Sequence, residues 1–174
     1  MAKLLRAVSW RRLERPNTRK SKFSKKAYVK AVPQNKIVKY VMGDTKADYK
    51  FTLTLHSDRD IQLRHNALES ARKTANKLLE TKIGKTGYMY RLRLYPHHIL
   101  RNNPLATGAG ADRMSTGMAR SFGKAIGLAA QVRKGQALME VLVNKEHIQT
   151  ARDALKRAQF KLPCGCRISM DEKK

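Results

Sequence analysis

An excess of basic side chains most limits how this chain can fold. Its 174 residues carry 38 Lys and Arg against 13 Asp and Glu, a formal charge of +25. Like charges in one small body repel, so the folded state needs a polyanion beside it. Phosphate backbones fit, because each neutralised phosphate releases counterions. A membrane surface is the rival partner. It demands a basic amphipathic helix or a lipid anchor, and neither is evident. No stretch approaches the roughly 18 unbroken apolar residues of a membrane helix.

The charge is placed unevenly. Residues 1–36 hold twelve basic side chains and one acid, Glu14, a net +11. Too few apolar residues lie there for an independent core, so this segment reads as an arm that orders on binding. Arg11, Arg12, Arg15, Arg19, Lys20, Lys22, Lys25 and Lys26 are its candidate phosphate contacts. Trp10, Phe23 and Tyr28 are interleaved with them. Basic groups on phosphates, with aromatic rings for stacking, are how RNA is held. Met1–Trp10 also fits a mitochondrial transit peptide, but the basic character continues well past any cleavage point.

Residues 37–174 read as one globular domain. Ile37–Met42 suggests a short strand. In Phe51–Ser57, Phe51, Leu53 and Leu55 alternate with Thr52, Thr54 and His56, a half-buried strand. Leu68, Ala71, Ala75, Leu78 and Leu79 recur at three and four residues, a helical stripe, and Gly84 fits its C-terminal cap. Tyr88–Tyr95 reads as a strand with Tyr90, Leu92 and Leu94 on one face. Arg91 and Arg93 then share the other face and offer RNA a basic surface. The glycine-rich stretch 102–124 is long for a structureless loop, so it is expected to be functional, with a short helix near Ala111–Phe122. Strands follow at Ile126–Arg133 and Ala137–Val143, around a Lys134-Gly135-Gln136 turn. Ile148, Ala151, Leu155 and Ala158 mark a second helix, and Cys164–Met170 a last strand. The simplest assembly is α+β: a two-layer sandwich of a mixed sheet with both helices on one face.

No catalytic or metal centre emerges, and no cofactor is expected. Gly84-Lys85-Thr86 lacks the earlier glycine of a phosphate loop, since that position is Leu79. Asp58, Asp60, Asp112 and Glu140 are acids of catalytic type, but no spacing pairs them. His97 and His98 are adjacent, so on an extended chain they point opposite ways and cannot chelate together. Either one can stack on a base or touch phosphate. Cys164 and Cys166 lack the second pair that structural zinc needs. On a strand their Cβ atoms lie about 7 Å apart, too far for an unstrained disulfide, so they are expected as core residues. Two cysteines make no disulfide framework, which points to a reducing compartment. A stand-alone nucleic-acid enzyme would need an acid–base or metal constellation, and the residues supply none.

Three runs carry a resemblance. Arg64-His65-Asn66-Ala67-Leu68-Glu69-Ser70-Ala71-Arg72, Tyr95-Pro96-His97-His98-Ile99-Leu100-Arg101 and Ala106-Thr107-Gly108-Ala109-Gly110-Ala111-Asp112-Arg113-Met114 are similar to the ribosomal protein L-sixteen family. The archaeal and eukaryotic branch, L-ten-e, is the nearer likeness, and the match spans almost the whole chain. Ala31 and Ala125 stand where that family has glycine and proline. The resemblance implies a non-enzymatic protein of the large subunit in cytoplasmic ribosomes. Its implied partners are large-subunit rRNA, neighbouring ribosomal proteins and, as a further candidate, 5S rRNA. It also implies a place beside the tRNA cleft, with the 106–118 loop extending toward tRNA and the peptidyl-transferase region. Thr107, Gly108, Gly110, Asp112 and Arg113 are then the tRNA-proximal residues. Arg120 and Lys124 are expected to hold the loop's base on rRNA.

Overall fold

Alternation in the sequence becomes a sheet whose inner face is the core. The computed structural model describes residues 5–14, 18, 23, 25, 27 and 29–173. The strands are β1 (Val41–Gly43), β2 (Phe51–Ser57), β3 (Ile61–Arg64), β4 (Tyr88–Leu92), β5 (His98–Asn102), β6 (Lys124–Val132), β7 (Ala137–Val143) and β8 (Cys166–Glu172). The helices are α1 (His65–Ile83), the single turn α2 (Ala111–Met114) and α3 (Ile148–Gln159). Leu55, Met139 and Leu92 sit opposite one another across β2, β7 and β4, as do Leu53, Val141 and Tyr90. All six are buried, so each rung adds to one apolar face.

The α+β class is as expected, but the sheet is divided. Five strands are ordered β1-β4-β7-β2-β8, and a separate three-stranded sheet is ordered β3-β6-β5. Every pairing is antiparallel rather than mixed. The cause is topological. The connection through α1 returns the chain from β2 to β4 running in the same direction, and β7 lies between them. The connection through α3 does the same from β7 to β8, with β2 between. These are two interleaved split βαβ units.

The helices supply the second layer. Leu68, Ala71, Ala75, Leu78 and Leu79 of α1 are buried, as are Ala151, Ala154, Leu155 and Ala158 of α3. The two helices pack on each other and share a core with both sheets. Gly84 ends α1 with φ 87°, its N–H donating to the Glu80 carbonyl at 3.2 Å. That is a helix terminator, as expected, and not a phosphate loop.

Several boundaries differ. Only Val41–Gly43 of the 37–42 segment is strand. The Asn35 side chain takes the Ile37 N–H at 3.1 Å and turns the chain there. β4 stops at Leu92, although Arg93 N–H still reaches the Leu138 carbonyl at 3.0 Å. β3 and β5 had no sequence counterpart. Ile61-Gln62-Leu63 and His98-Ile99-Leu100 are buried without alternation, so neither shows a period of two. The cysteines also differ from expectation. β8 begins at Cys166, and Cys164 lies in the preceding turn, so their sulfurs approach to 3.7 Å. Cys164 is buried as expected, whereas Cys166 is only half-buried.

Candidate nucleic-acid interface

The arm is fastened to the small sheet. Trp10 ends a short 3-10 turn, Ala7–Trp10, and is buried with Leu100 and Ala129. The Arg64 guanidinium lies 5.4 Å from the centre of its ring. Gln62 donates its backbone N–H to the Arg11 carbonyl at 2.9 Å and its side-chain amide to the Trp10 carbonyl at 3.0 Å. Further on, Ile99 N–H donates to the Thr18 carbonyl at 2.6 Å, and Thr18 N–H donates to His98 Nδ1 at 3.1 Å. The sequence showed too few apolar residues for a core here. The structure adds that Trp10 and Thr18 complete the core of the small sheet.

Anchored this way, the described arm turns charge outward. Arg11, Arg12 and Lys25 are exposed. Arg15, Arg19, Lys20, Lys22, Lys26 and Tyr28 lie outside the described residues. His97 and His98 do point opposite ways. His97 is exposed, while His98 is 1% exposed and occupied by Thr18 and Glu14, so it is no RNA contact.

Arg91 and Arg93 project from the outer face of the large sheet, as expected, and are 41% and 47% exposed. They are not isolated cations. Both pair with Glu140, whose side chain is 8% exposed; Arg93 Nη1 is 3.2 Å from its carboxylate. Glu140 sits on β7 directly opposite Arg91 on β4. This acid of catalytic type is therefore an ion-pair partner that halves the local positive charge.

Sequence reasoning missed the neighbouring rings. Tyr95 stacks on Tyr40 at 5.4 Å with 23° between planes, and His97 leans on Tyr95 at 4.6 Å. Arg93, Tyr95 and His97 are all exposed, at alternate positions of an extended segment. The alternation was the available signal, but Tyr40 lies on a distant segment and carried none. Burial raises the Tyr40 hydroxyl above its ordinary value, so the ring stays neutral.

Loop 102–124 forms the other end. Thr107, Gly108, Gly110, Asp112, Arg113, Arg120 and Lys124 are all exposed. Gly110 (φ 73°) caps α2, a left-handed position that costs other residues about 1 kcal/mol or more. A second turn, Gly117–Arg120, corresponds with α2 to the helix expected in this stretch. Asn103, Asp112, Arg113, Arg120, Phe122 and Lys124 line a concavity of about 450 Å³. The loop's root is tied to the arm. The Arg101 guanidinium lies 4.0 Å from the centre of the Phe122 ring, donates to the Phe122 carbonyl at 3.2 Å, and comes within 4.0 Å of Glu14. At Gly123 a Cβ would meet the Asn102 backbone at 2.7 Å, so only glycine closes the root.

Among the described residues no group of three or more His, Cys, Asp or Glu is placed to hold a metal ion. Asp60 accepts the Lys134 N–H at 2.7 Å, a turn-fixing role.

The sequence model described as "Ribosomal protein L16p/L10e" matches residues 15–169. A protein of Methanococcus maripaludis strain C5 named "Large ribosomal subunit protein uL16" is 49% identical over 151 residues, covering 87% of each chain. The protein of that name from Archaeoglobus fulgidus is 43% identical over 166 residues, covering 95% of this chain and 92% of its own. The one from Hyperthermus butylicus is 47% identical over 146 residues, covering 84% of this chain and 81% of its own. The likeness therefore extends from the arm, across both split units and the long loop, into β8: this chain belongs to the ribosomal protein L16p/L10e family.

Proposed function

We propose that this protein binds large-subunit rRNA through its arm and loop root, and that its 106–118 loop reaches toward bound tRNA and the peptidyl-transferase region. Membership of the family makes it a structural component of the large ribosomal subunit in the cytoplasm, not an enzyme. Neighbouring ribosomal proteins are partners, and 5S rRNA is a further one in this reading. Among the described residues no helix is long and apolar enough to cross a membrane.

One observation carries the reading. Arm and loop, distant in sequence, meet at Glu14 and Arg101, so their outward-facing cations belong to one connected surface. Arg11 and Arg12 supply phosphate contacts from the arm. Arg120 and Lys124 supply them at the loop root, where they flank Phe122. Arg113, at the tip, presents a planar fork suited to a phosphate. Arg91 and Arg93 contribute at most a partial charge, because Glu140 lies between them.

Two experiments test it. Replacing both Arg11 and Arg12 with Gln leaves Trp10 in place and should lower the salt slope of rRNA binding by about one per lost contact. An unchanged slope rules out the arm as an anchor. Deleting residues 107–117 should leave the protein in purified subunits but weaken tRNA accommodation. Normal tRNA binding by fully loaded subunits removes the tRNA role and leaves a loop that fills a gap in rRNA.

A further inference from the structure

Cys164 and Cys166 are the only cysteines of the chain. Their sulfurs lie 3.7 Å apart, and Cys166 also points its sulfur at the Cys164 carbonyl at 3.7 Å. The turn between them is built against residues 57–59. Asp58 N–H donates to the Gly165 carbonyl at 3.1 Å, and a Cβ on Gly165 would meet the Asp58 carboxylate at 2.9 Å. The Ser57 hydroxyl faces the Cys164 sulfur at 3.9 Å. Arg59 donates to the Pro163 carbonyl at 3.0 Å, placing a cation beside the thiols.

This is more order than a pair of packing cysteines needs. The Cys166 thiol lies where it can give its hydrogen to the Cys164 sulfur, and Arg59 is nearby, so a negative charge there is stabilised. The Ser57 hydroxyl, 3.9 Å from that sulfur, has the Arg59 carbonyl at 2.8 Å as its nearer acceptor. The half-buried Cys166 is the sulfur nearer solvent. A disulfide requires the sulfurs to close to about 2.05 Å, which side-chain rotation across a glycine hinge can supply.

We propose that Cys164-Gly165-Cys166 is a reversible dithiol–disulfide site whose co-reactants are small-molecule disulfides. The pair loses one proton, and with the remaining hydrogen moved onto Cys164 the Cys166 thiolate attacks one sulfur of the oxidant RSSR, forming a Cys166–S–S–R mixed disulfide and releasing RS⁻. Cys164 then gives up that proton, and its thiolate attacks the Cys166 sulfur, forming the Cys164–Cys166 bond and expelling a second RS⁻. The protein dithiol loses two protons and two electrons, and RSSR becomes two RSH. An excess of RSH reverses both steps.

The Cys164 thiol is drawn down to about 7, first by the hydrogen bond from Cys166, then by Ser57 and the Arg59 charge, against the opposing effects of burial and of the Asp58 carboxylate. The same hydrogen bond pushes the Cys166 thiol up. The first proton lost therefore leaves a thiolate shared within the pair, held chiefly on Cys164. Movement of the shared hydrogen onto Cys164 leaves the charge on the more exposed Cys166 for the first attack.

The test is to incubate the reduced full chain with excess glutathione disulfide, quench with acid and measure the intact mass. The wild-type chain should lose the mass of two hydrogen atoms and regain it with dithiothreitol. Cys164→Ser should instead accumulate one glutathione adduct, because nothing resolves it. Cys166→Ser should form an adduct several-fold more slowly, its remaining thiol being buried. A wild-type chain that stays a dithiol, keeps a glutathione adduct or links into dimers overturns the site. A Cys164→Ser chain without adduct, or equal rates in the two variants, overturns the assigned order of attack.

Discussion

The Glu14 carboxylate and the His98 Nε2 atom meet at 3.1 Å. Thr18 N–H occupies Nδ1, so Nε2 carries the hydrogen and donates it to Glu14. A buried strand residue thereby holds the arm at Glu14 and again at Thr18. The same carboxylate faces Arg101 at the loop root.

His98→Ala should free the arm. The Thr18 N–H and the Glu14 carboxylate both lose a partner, at about 1–3 kcal/mol for groups left unsatisfied. Trypsin should cut after Arg11 and Arg12 faster than in the wild-type chain. Equal cleavage rates would show that Trp10 and the Gln62 hydrogen bonds fasten this segment without His98.

Glu140→Gln removes the charge shared by Arg91 and Arg93. Burial of Glu140 makes these charge-assisted bonds worth about 2–3 kcal/mol together, and urea unfolding should show that loss. Arg93→Ala should cost about 1 kcal/mol or less, since Arg91 keeps its hold and Arg93 is half exposed. If Arg93→Ala proves the more damaging, the carboxylate is not the centre of the cluster.

Acid should expose the contribution of Glu69. Arg72 binds its carboxylate in two hydrogen bonds, at 2.7 and 2.8 Å, and holds it below its ordinary value of 4.5. The folded value is depressed, so this stability is full above the ordinary value and lost as pH falls through the lowered one. Glu69→Gln should destabilise the protein by about 2–3 kcal/mol at neutral pH. The gap to the wild-type chain should narrow below pH 4.5. A gap that stays constant down to strong acid would deny the ion pair its role.

Thiolate absorbance gives a separate reading of the cysteines. One thiolate should appear as pH rises through about 7, because Cys166 and Ser57 stabilise it on Cys164. The second should appear only well above the ordinary thiol range of about 8.5. Two thiolates rising together near that ordinary value would remove the internal hydrogen bond.

Legibility followed periodicity. In β2 apolar residues alternate with polar ones, and in α1 and α3 they repeat at helical spacing, so those elements show their period. β7 is buried continuously from Leu138 to Val141 and was legible as an apolar run after a glycine turn. β3 and β5 are short and buried along their length, which erases the repeat. The division into two sheets was hidden because Gly135 (φ 79°) supplies a normal turn whether or not the flanking strands pair. The candidate cations of the arm and loop were readable from charge alone. Their partners were not. Glu140 beside Arg93, Tyr40 under Tyr95 and Glu14 beside Arg101 are contacts between distant segments, and a single sequence carries no local signal for them.

The interleaving of the split units fixes when this chain can be finished. β2 precedes both β7 and β8 in the chain but lies between them in the sheet. Until β8 is in place, β2 keeps one side unpaired. An unpaired strand edge is a template for pairing with other chains. A chain in which β8 has not yet docked therefore exposes that edge, and the interval between making β2 and placing β8 sets how long the edge stays open.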